Sequence, residues 1–457
     1  MSESLLSVGL DVGTTTTQLI VSRLQVENQA SSFAVPEMQI TDRQVVYRST
    51  VHFTPLLGEN LVDGAGVREI VKEEYEVAGI TPQQVDTGAV IITGETSRKE
   101  NARQVVDALS EYAGDFVVAT AGPDLERVLA AKGAGAVEYS RRTGKNVLHM
   151  DIGGGTSNLA WIENGRIVKT GCMNVGGRLL KLDGGKIRYV SPVLRGLTEL
   201  QVGNVPTREQ IMEVARLLAQ GLEMAAGLRE PTELLEKLWT EESGPMWSSA
   251  PTDCVISFSG GVADCIETVH PSGAFGDMGV ELGQAIRESR LCQGEYMLGS
   301  QTIRATVIGA GCHSAQLSGS TVFCRGVQLP LKNLPVAVFT RQEQDDPGLD
   351  QIIARRLAAS DSETVVLAMS GDVGGYDRLS VLAQKIIRGT GGAAVYVCLE
   401  ADMAKALGQK LCLGLPTDTP CLCIDRVQLT EESFLDVGSP VGPAFPVVVK
   451  TLVLQSS

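Results

Sequence analysis

Asp11-Val-Gly-Thr-Thr-Thr-Thr-Gln-Leu-Ile20 lies without a gap over Asp151-Ile-Gly-Gly-Gly-Thr-Ser-Asn-Leu-Ala160, 140 residues further along the chain. Asp11/Asp151, Gly13/Gly153, Thr16/Thr156 and Leu19/Leu159 are identical; Val12/Ile152, Thr17/Ser157 and Gln18/Asn158 keep size and chemistry. A short apolar run precedes and follows each copy, so each reads as strand, tight turn, strand. The second copy continues through Asn164-Gly165, a hairpin signal, into a third strand over Arg166 to Cys172. One Asp-x-Gly-Thr is ordinarily a plain turn, because Asp and Gly favour turns for local reasons. Two in matching contexts, with a Gly-Gly turn after a later strand, point to a nucleotide site.

The chemistry of the repeat fits polyphosphate. Gly13 and Gly153, Gly154 and Gly155 permit close backbone approach, and Thr14, Thr15, Thr16, Thr17, Thr156 and Ser157 supply hydroxyls. Asp11 and Asp151 end their strands where the turns begin. They are the expected Mg²⁺ carboxylates, one from each half, because Mg²⁺ keeps several waters and takes only one or two carboxylates. Positioning and charge neutralisation supply most of the rate in phosphoryl transfer, so ATP and Mg²⁺ are the expected cofactors. The chain has no Gly-x-x-x-x-Gly-Lys-Ser/Thr segment and no strand-linked Gly-x-Gly-x-x-Gly, which argues against the P-loop and Rossmann readings.

Composition limits the alternatives. At 457 residues the chain is expected to form more than one domain, and 43% apolar with 20% charged residues is the profile of a globular protein. A net charge of −15 would repel nucleic acid and anionic membranes. No stretch approaches a spanning helix and no secretory leader is visible, so a cytoplasmic location is expected. The ten cysteines form no Cys-x-x-Cys pair and read as small buried hydrophobes, with Cys421 and Cys423 in a strand.

The rest of the chain has α/β texture. Arg43 to Phe53 and Ala89 to Ile92 read as strands, Ala65 to Ala78, Lys99 to Tyr112 and Leu125 to Tyr139 as helices. Later, Val255 to Phe258 is a strand running into Ser259-Gly260-Gly261, and Ile303 to Ser314 has helical spacing. The polar stretch Gln342 to Gly348 suggests a boundary before a small α/β unit. The expected division is 1–142, 143–341 and 342–457. Gly371-Asp-Val-Gly-Gly375 follows a strand but leads to a helix, and reads as a helix-start turn rather than a third phosphate loop.

These motifs resemble the actin, sugar-kinase and heat-shock-chaperone superfamily, whose fold is a two-lobed α/β ATPase with duplicated mixed-sheet lobes. Leu10-Asp-Val-Gly-Thr-Thr looks like its first phosphate loop and Asp151-Ile-Gly-Gly-Gly-Thr its second; Ser259-Gly260-Gly261-Val262 resembles its adenosine motif. Gly122-Pro123 with the following helix resembles the first connecting helix, and Ile308-Gly309-Ala310-Gly311 the second. The motifs cover residues 8 to 312, about two thirds of the chain. The resemblance implies nucleotide contacts from Ser259, Gly260, Gly261, Gly309 and Gly311.

Within that superfamily the whole chain is similar to the reactivating factors of ethanolamine ammonia-lyase. Met150 to Ala160, Asn174-Val-Gly-Gly177, and Asp436-Val-Gly-Ser-Pro-Val441 to Val447-Val-Val-Lys-Thr-Leu452 carry this likeness. It implies a slow ATPase acting as a chaperone that releases damaged cobalamin so that adenosylcobalamin can rebind, with the lyase as partner and a bacterial microcompartment as a setting. Heat-shock chaperones have a Glu-Pro where this chain reads Gly122-Pro123-Asp124, so water activation is assigned among Asp124, Asp11 and Asp151. Glu95 reads as a solvated loop acid, and His313 as a core residue. A small-molecule kinase and a filament-type ATPase are the competing classes, and the oligomeric state, homo-oligomer included, is left open.

Overall fold

The computed structural model describes residues 3–13, 16–29, 38–57, 61–92, 101, 105, 109, 112, 123–240, 254–299, 302–313, 316–318, 321–360, 362, 364–371, 375–427, 429, 433–440 and 444–451. The first lobe is a five-stranded sheet of β1 (Glu3–Val12), β2 (Thr16–Asn28), β3 (Met38–Arg48), β4 (His52–Phe53) and β5 (Thr87–Ile92), with α1 (Gly64–Ala78) before β5. β1, β2 and β3 are antiparallel, and β5 runs parallel to β1 on its other side. Asp63 caps α1 by accepting from the Gly66 N–H at 3.0 Å.

The second lobe repeats that plan. After α2 (Pro123–Gly133) and α3 (Ala136–Thr143), β6 (Val147–Ile152), β7 (Ser157–Glu163) and β8 (Arg166–Met173) form the antiparallel set. β9 (Leu180–Asp183) and β10 (Lys186–Val190) make a separate hairpin, followed by α4 (Arg208–Ala225) and α5 (Glu233–Leu238). β11 (Val255–Ser259) then lies parallel to β6, as β5 lies parallel to β1. α6 (Asp264–Glu267), α7 (Gly279–Glu288), β12 (Tyr296–Leu298) and α8 (Ala305–His313) complete the lobe. This is the two-lobed actin-like α/β fold, and it is legible in the chain's own duplicated topology.

The connecting helices are exchanged between lobes. α2 follows the first lobe in sequence but packs on β6, β7 and β8, whereas α8 follows the second lobe and packs on β1, β2 and β5. The two helices pack on each other, giving four layers: sheet, α8, α2, sheet. At their crossing, a Cβ on Gly309 would lie 2.6 Å from the Leu129 carbonyl carbon, and one on Gly133 would lie 2.7 Å from the Gly309 nitrogen. Only glycine lets the backbones come that close. The helix expected over Leu125 to Tyr139 is thus two helices, broken at Gly135 with φ 81°.

The C-terminal strands form one eight-stranded sheet. β13 (Gln316–Leu317), β14 (Phe323–Arg325), β15 (Leu331–Phe339), β16 (Val366–Met369), β17 (Val395–Leu399), β18 (Cys421–Asp425), β19 (Ser433–Val437) and β20 (Pro446–Thr451) are ordered β13-β20-β19-β15-β16-β17-β18-β14. β15 to β18 are parallel and are joined by α9 (Arg341–Asp345), α10 (Leu349–Ala358), α11 (Tyr376–Gly389) and α12 (Ala404–Gly414). Helices α10, α11 and α12 cover one face, through Leu349, Ile353, Leu379, Ile386, Leu407 and Leu411. The sheet begins at Gln316, upstream of the boundary expected at 341/342. The polar stretch taken as that boundary is α9 and its exit, inside the unit.

A chain ended at Gln342 keeps β13, β14 and β15 but loses every strand they pair with. Such a truncation is expected to be insoluble, and a soluble product with cooperative thermal unfolding would overturn that expectation.

Candidate functional site

Both turns close in the same way. The Gly13 N–H donates to the Thr16 carbonyl at 2.9 Å, and the Gly153 N–H to the Thr156 carbonyl at 3.0 Å. Across each hairpin the register is also the same, with Asp11 opposite Gln18 and Asp151 opposite Asn158. Thr54 of the first lobe donates to the Gly13 carbonyl at 2.8 Å. Thr14 and Thr15 lie outside the described residues, as do Glu95 and the side chains of Asp124 and His313; Asp124 itself falls in the first turn of α2.

Two further segments press on the second turn. The Gly177 N–H donates to the Gly153 carbonyl at 3.1 Å and the Arg178 N–H to the Gly154 carbonyl at 2.6 Å. From the other side comes Gly260, with φ 86°, where a Cβ would lie 2.6 Å from the Ile152 carbonyl carbon. Ser259-Gly260-Gly261 is therefore brought against the second turn, with Gly261 exposed. Gly309 sits in the helix crossing, and the Gly311 carbonyl accepts from Ser7 Oγ at 2.5 Å; both glycines serve α8 packing.

Asp151 is the most distinctive group. It is buried, and burial pushes its carboxyl up to about 6, partly offset by a hydrogen bond from Ser259. Ser259 Oγ donates to Asp151 Oδ1 at 2.5 Å and lies 3.0 Å from His149 Nε2, while His149 Nδ1 lies 3.0 Å from Ser257 Oγ. The hydroxyl of Ser259, a residue expected among the nucleotide contacts, is buried against this carboxylate. Burial alone holds the His149 imidazole at about 3, so it is neutral.

Sequence reasoning missed two charged groups here. Glu126 of α2 accepts from Asn158 Nδ2 at 3.0 Å, which puts a second carboxylate beside the strand partner of Asp151. Only its helical spacing after Pro123 marks it. The alkyl chain of Arg178 lies along the turn, with its Cδ 3.1 Å from where a Gly154 Cβ would be. Its Nε is 3.4 Å from Asp277 Oδ2. Asp277 in turn accepts from the Gly279 N–H at 2.8 Å at the start of α7, and burial raises its carboxyl. The Asn174-Val-Gly-Gly177 turn just before Arg178 is the signal that could have found it.

The donor set fits a magnesium–nucleotide. Asp151 Oδ2 has no hydrogen-bond partner among the described residues, a Cβ on exposed Gly155 would meet nothing within 4 Å, and Asp11 is half-buried at the matching position. No group of three or more His, Cys, Asp or Glu side chains able to hold a metal occurs among the described residues. Coordination by one or two carboxylates and water is how Mg²⁺ is usually held. No helix among the described residues is long and apolar enough to cross a membrane.

A family model described as ethanolamine utilisation protein EutA matches residues 3–455. The chain is similar to a protein of Salmonella typhimurium strain LT2 named ethanolamine ammonia-lyase reactivase EutA, at 38% identity over 478 residues with 100% of each chain covered. It is 37% identical over 472 residues to an Escherichia coli strain K12 protein of the same name, again over 100% of both. Among solved structures, ethanolamine utilization protein EutJ from Carboxydothermus hydrogenoformans aligns over 67% of this chain and 89% of its own, at 18% identity and a TM-score of 0.35.

Proposed function

Because the chain belongs to the EutA family of ethanolamine utilisation proteins, we propose that it is an ATP- and Mg²⁺-dependent reactivating factor for ethanolamine ammonia-lyase. In this reading it releases damaged cobalamin from the lyase so that adenosylcobalamin can rebind. The observation that carries the reading is the full-length family match joined to a duplicated Asp-Gly turn in identical register in the two lobes.

The turns of the two lobes would hold ATP, their backbone N–H groups donating to phosphate oxygens. A bound Mg²⁺ would neutralise phosphate charge, and Asp11 and Asp151, one from each lobe, would hold its water shell. Ser259-Gly260-Gly261 offers backbone to the nucleoside, and Arg178 adds a cation beside the second turn. Glu126 takes the water-positioning role expected of Asp124, because it is the carboxylate that reaches Asn158 next to Asp151. The α2/α8 crossing is the hinge through which nucleotide state biases the opening of the lobes and so the bound lyase.

The test is recovery of lyase activity from enzyme inactivated with cyanocobalamin. Recovery is expected only when the protein, ATP, Mg²⁺ and free adenosylcobalamin are all present. Recovery without ATP, or phosphorylation of an added small molecule in place of recovery, would sink the reading. Glu126→Gln is expected to lower ATP turnover about a hundredfold with nucleotide affinity little changed, measured by phosphate release alongside titration calorimetry. Unchanged turnover would return the role to Asp124.

A further inference from the structure

The buried run Ser257, His149, Ser259, Asp151 can be judged against a control that the molecule itself supplies. In parallel register His149 pairs with Ser257 and Asp151 with Ser259. The first lobe builds the same sheet, and there the pairs are Gly9 with Ala89 and Asp11 with Ile91. The fold therefore does not require polar side chains at these three positions. The second lobe has placed an imidazole and two hydroxyls there together, all but unexposed, where each is costly unless the whole set is satisfied.

The proton order in this run follows from chemistry. An ionised Asp151 accepts, so the Ser259 hydroxyl donates to it. The Ser259 oxygen then accepts from His149 Nε2–H, and His149 Nδ1 accepts from the Ser257 hydroxyl. All donors point toward the carboxylate. Strands β6 and β11 fix the geometry at every step.

We propose that His149 is a positioning residue for Asp151, holding one carboxylate oxygen through Ser259 so that the other is kept free for the water shell of the nucleotide's magnesium. The proposal rests on the nucleotide reading above. The sheet neighbours of the two aspartates differ: Ser259 lies beside Asp151, and Ile91 beside Asp11.

The test pairs His149→Leu and Ser259→Ala with His149→Gln, whose amide can still donate to Ser259. Binding of a fluorescent ATP analogue is followed as Mg²⁺ is titrated. His149→Leu and Ser259→Ala are expected to raise the Mg²⁺ needed for half-maximal binding about tenfold, as loss of an outer-shell partner does. Binding without Mg²⁺ should stay within about twofold in His149→Leu, and His149→Gln should recover to within about threefold of the original. Ser259→Ala removes a single hydroxyl, so it carries the test should His149→Leu not fold. Independently, ring ¹⁵N signals should show a neutral His149 protonated on Nε2, with a slowly exchanging proton. A ring proton on Nδ1, or variants with unaltered Mg²⁺ dependence, overturns this proposal alone. A wild-type protein that binds no ATP at any Mg²⁺ concentration overturns the nucleotide reading and this one with it.

Discussion

Asp151→Asn is expected to lower ATP turnover by a hundred- to a thousandfold while making the nucleotide-free protein more stable. The first effect is the loss of one of the two carboxylates proposed to hold the metal's water shell, worth several kcal/mol, or about two to three powers of ten. The second follows from burial. A carboxyl whose value in the fold is about 6, above its usual 3.8, adds stability below pH 3.8 and loses it progressively as pH rises through about 6. At pH 7.5 the empty protein therefore carries a charge-burial penalty of about 3 kcal/mol. Asparagine removes the charge and still accepts from Ser259. Calorimetry of the empty protein should find a melting temperature several degrees higher at pH 7.5, with the gain shrinking below pH 5.5. Wild-type turnover would sink the site assignment, and an unchanged melting temperature would sink the account of the buried charge.

Gly309→Ala should be strongly destabilising although it adds a single methyl group. Alanine favours helix over glycine by about 1 kcal/mol, so propensity alone predicts a gain. The added Cβ would lie 2.6 Å from the Leu129 carbonyl carbon, backbone against backbone, with no flexible side chain to give way. Overpacking costs about 1–3 kcal/mol where side chains can shift, and more here, because α2 and α8 must separate and carry their sheets with them. A net loss of at least about 3 kcal/mol is expected. Gly294→Ala, whose Cβ would meet nothing within 4 Å, is the control and should change little. Urea denaturation of the two variants decides the point; equal midpoints would mean that the crossing tolerates separation.

The duplicated turn was readable because it is local chemistry: a strand end, an aspartate, glycines and hydroxyls within ten residues. Its strand pairing repeats across the two lobes as the aligned residues suggest. What could not be read depends on partners distant in sequence. His149 stands in the apolar run Val147–Ile152, and the residues that give it a role, Ser257 and Ser259, are brought beside it only by β11. Glu126 meets Asn158, 32 residues further on, only because α2 packs on the sheet of the second lobe. The apolar run of β15 looked like the end of the second lobe because its neighbours, β16 and β19, arrive only after a polar stretch of a kind that usually separates units. The break at Gly135 was hidden because apolar spacing carries on through it.

Val448 belongs to the same apolar cluster as Leu5, Leu24, Val26 and Ala89 of the first lobe, and Leu317 of β13 packs there too. This has a consequence for how the protein is made. The strands of the first lobe are translated well before β20, which closes one of their buried faces. Until then that face stays open to solvent, covered by neither α8 nor β20. The nascent chain must be kept from aggregating until β20 has been made, and the first lobe reaches its native packing only when that strand has left the ribosome.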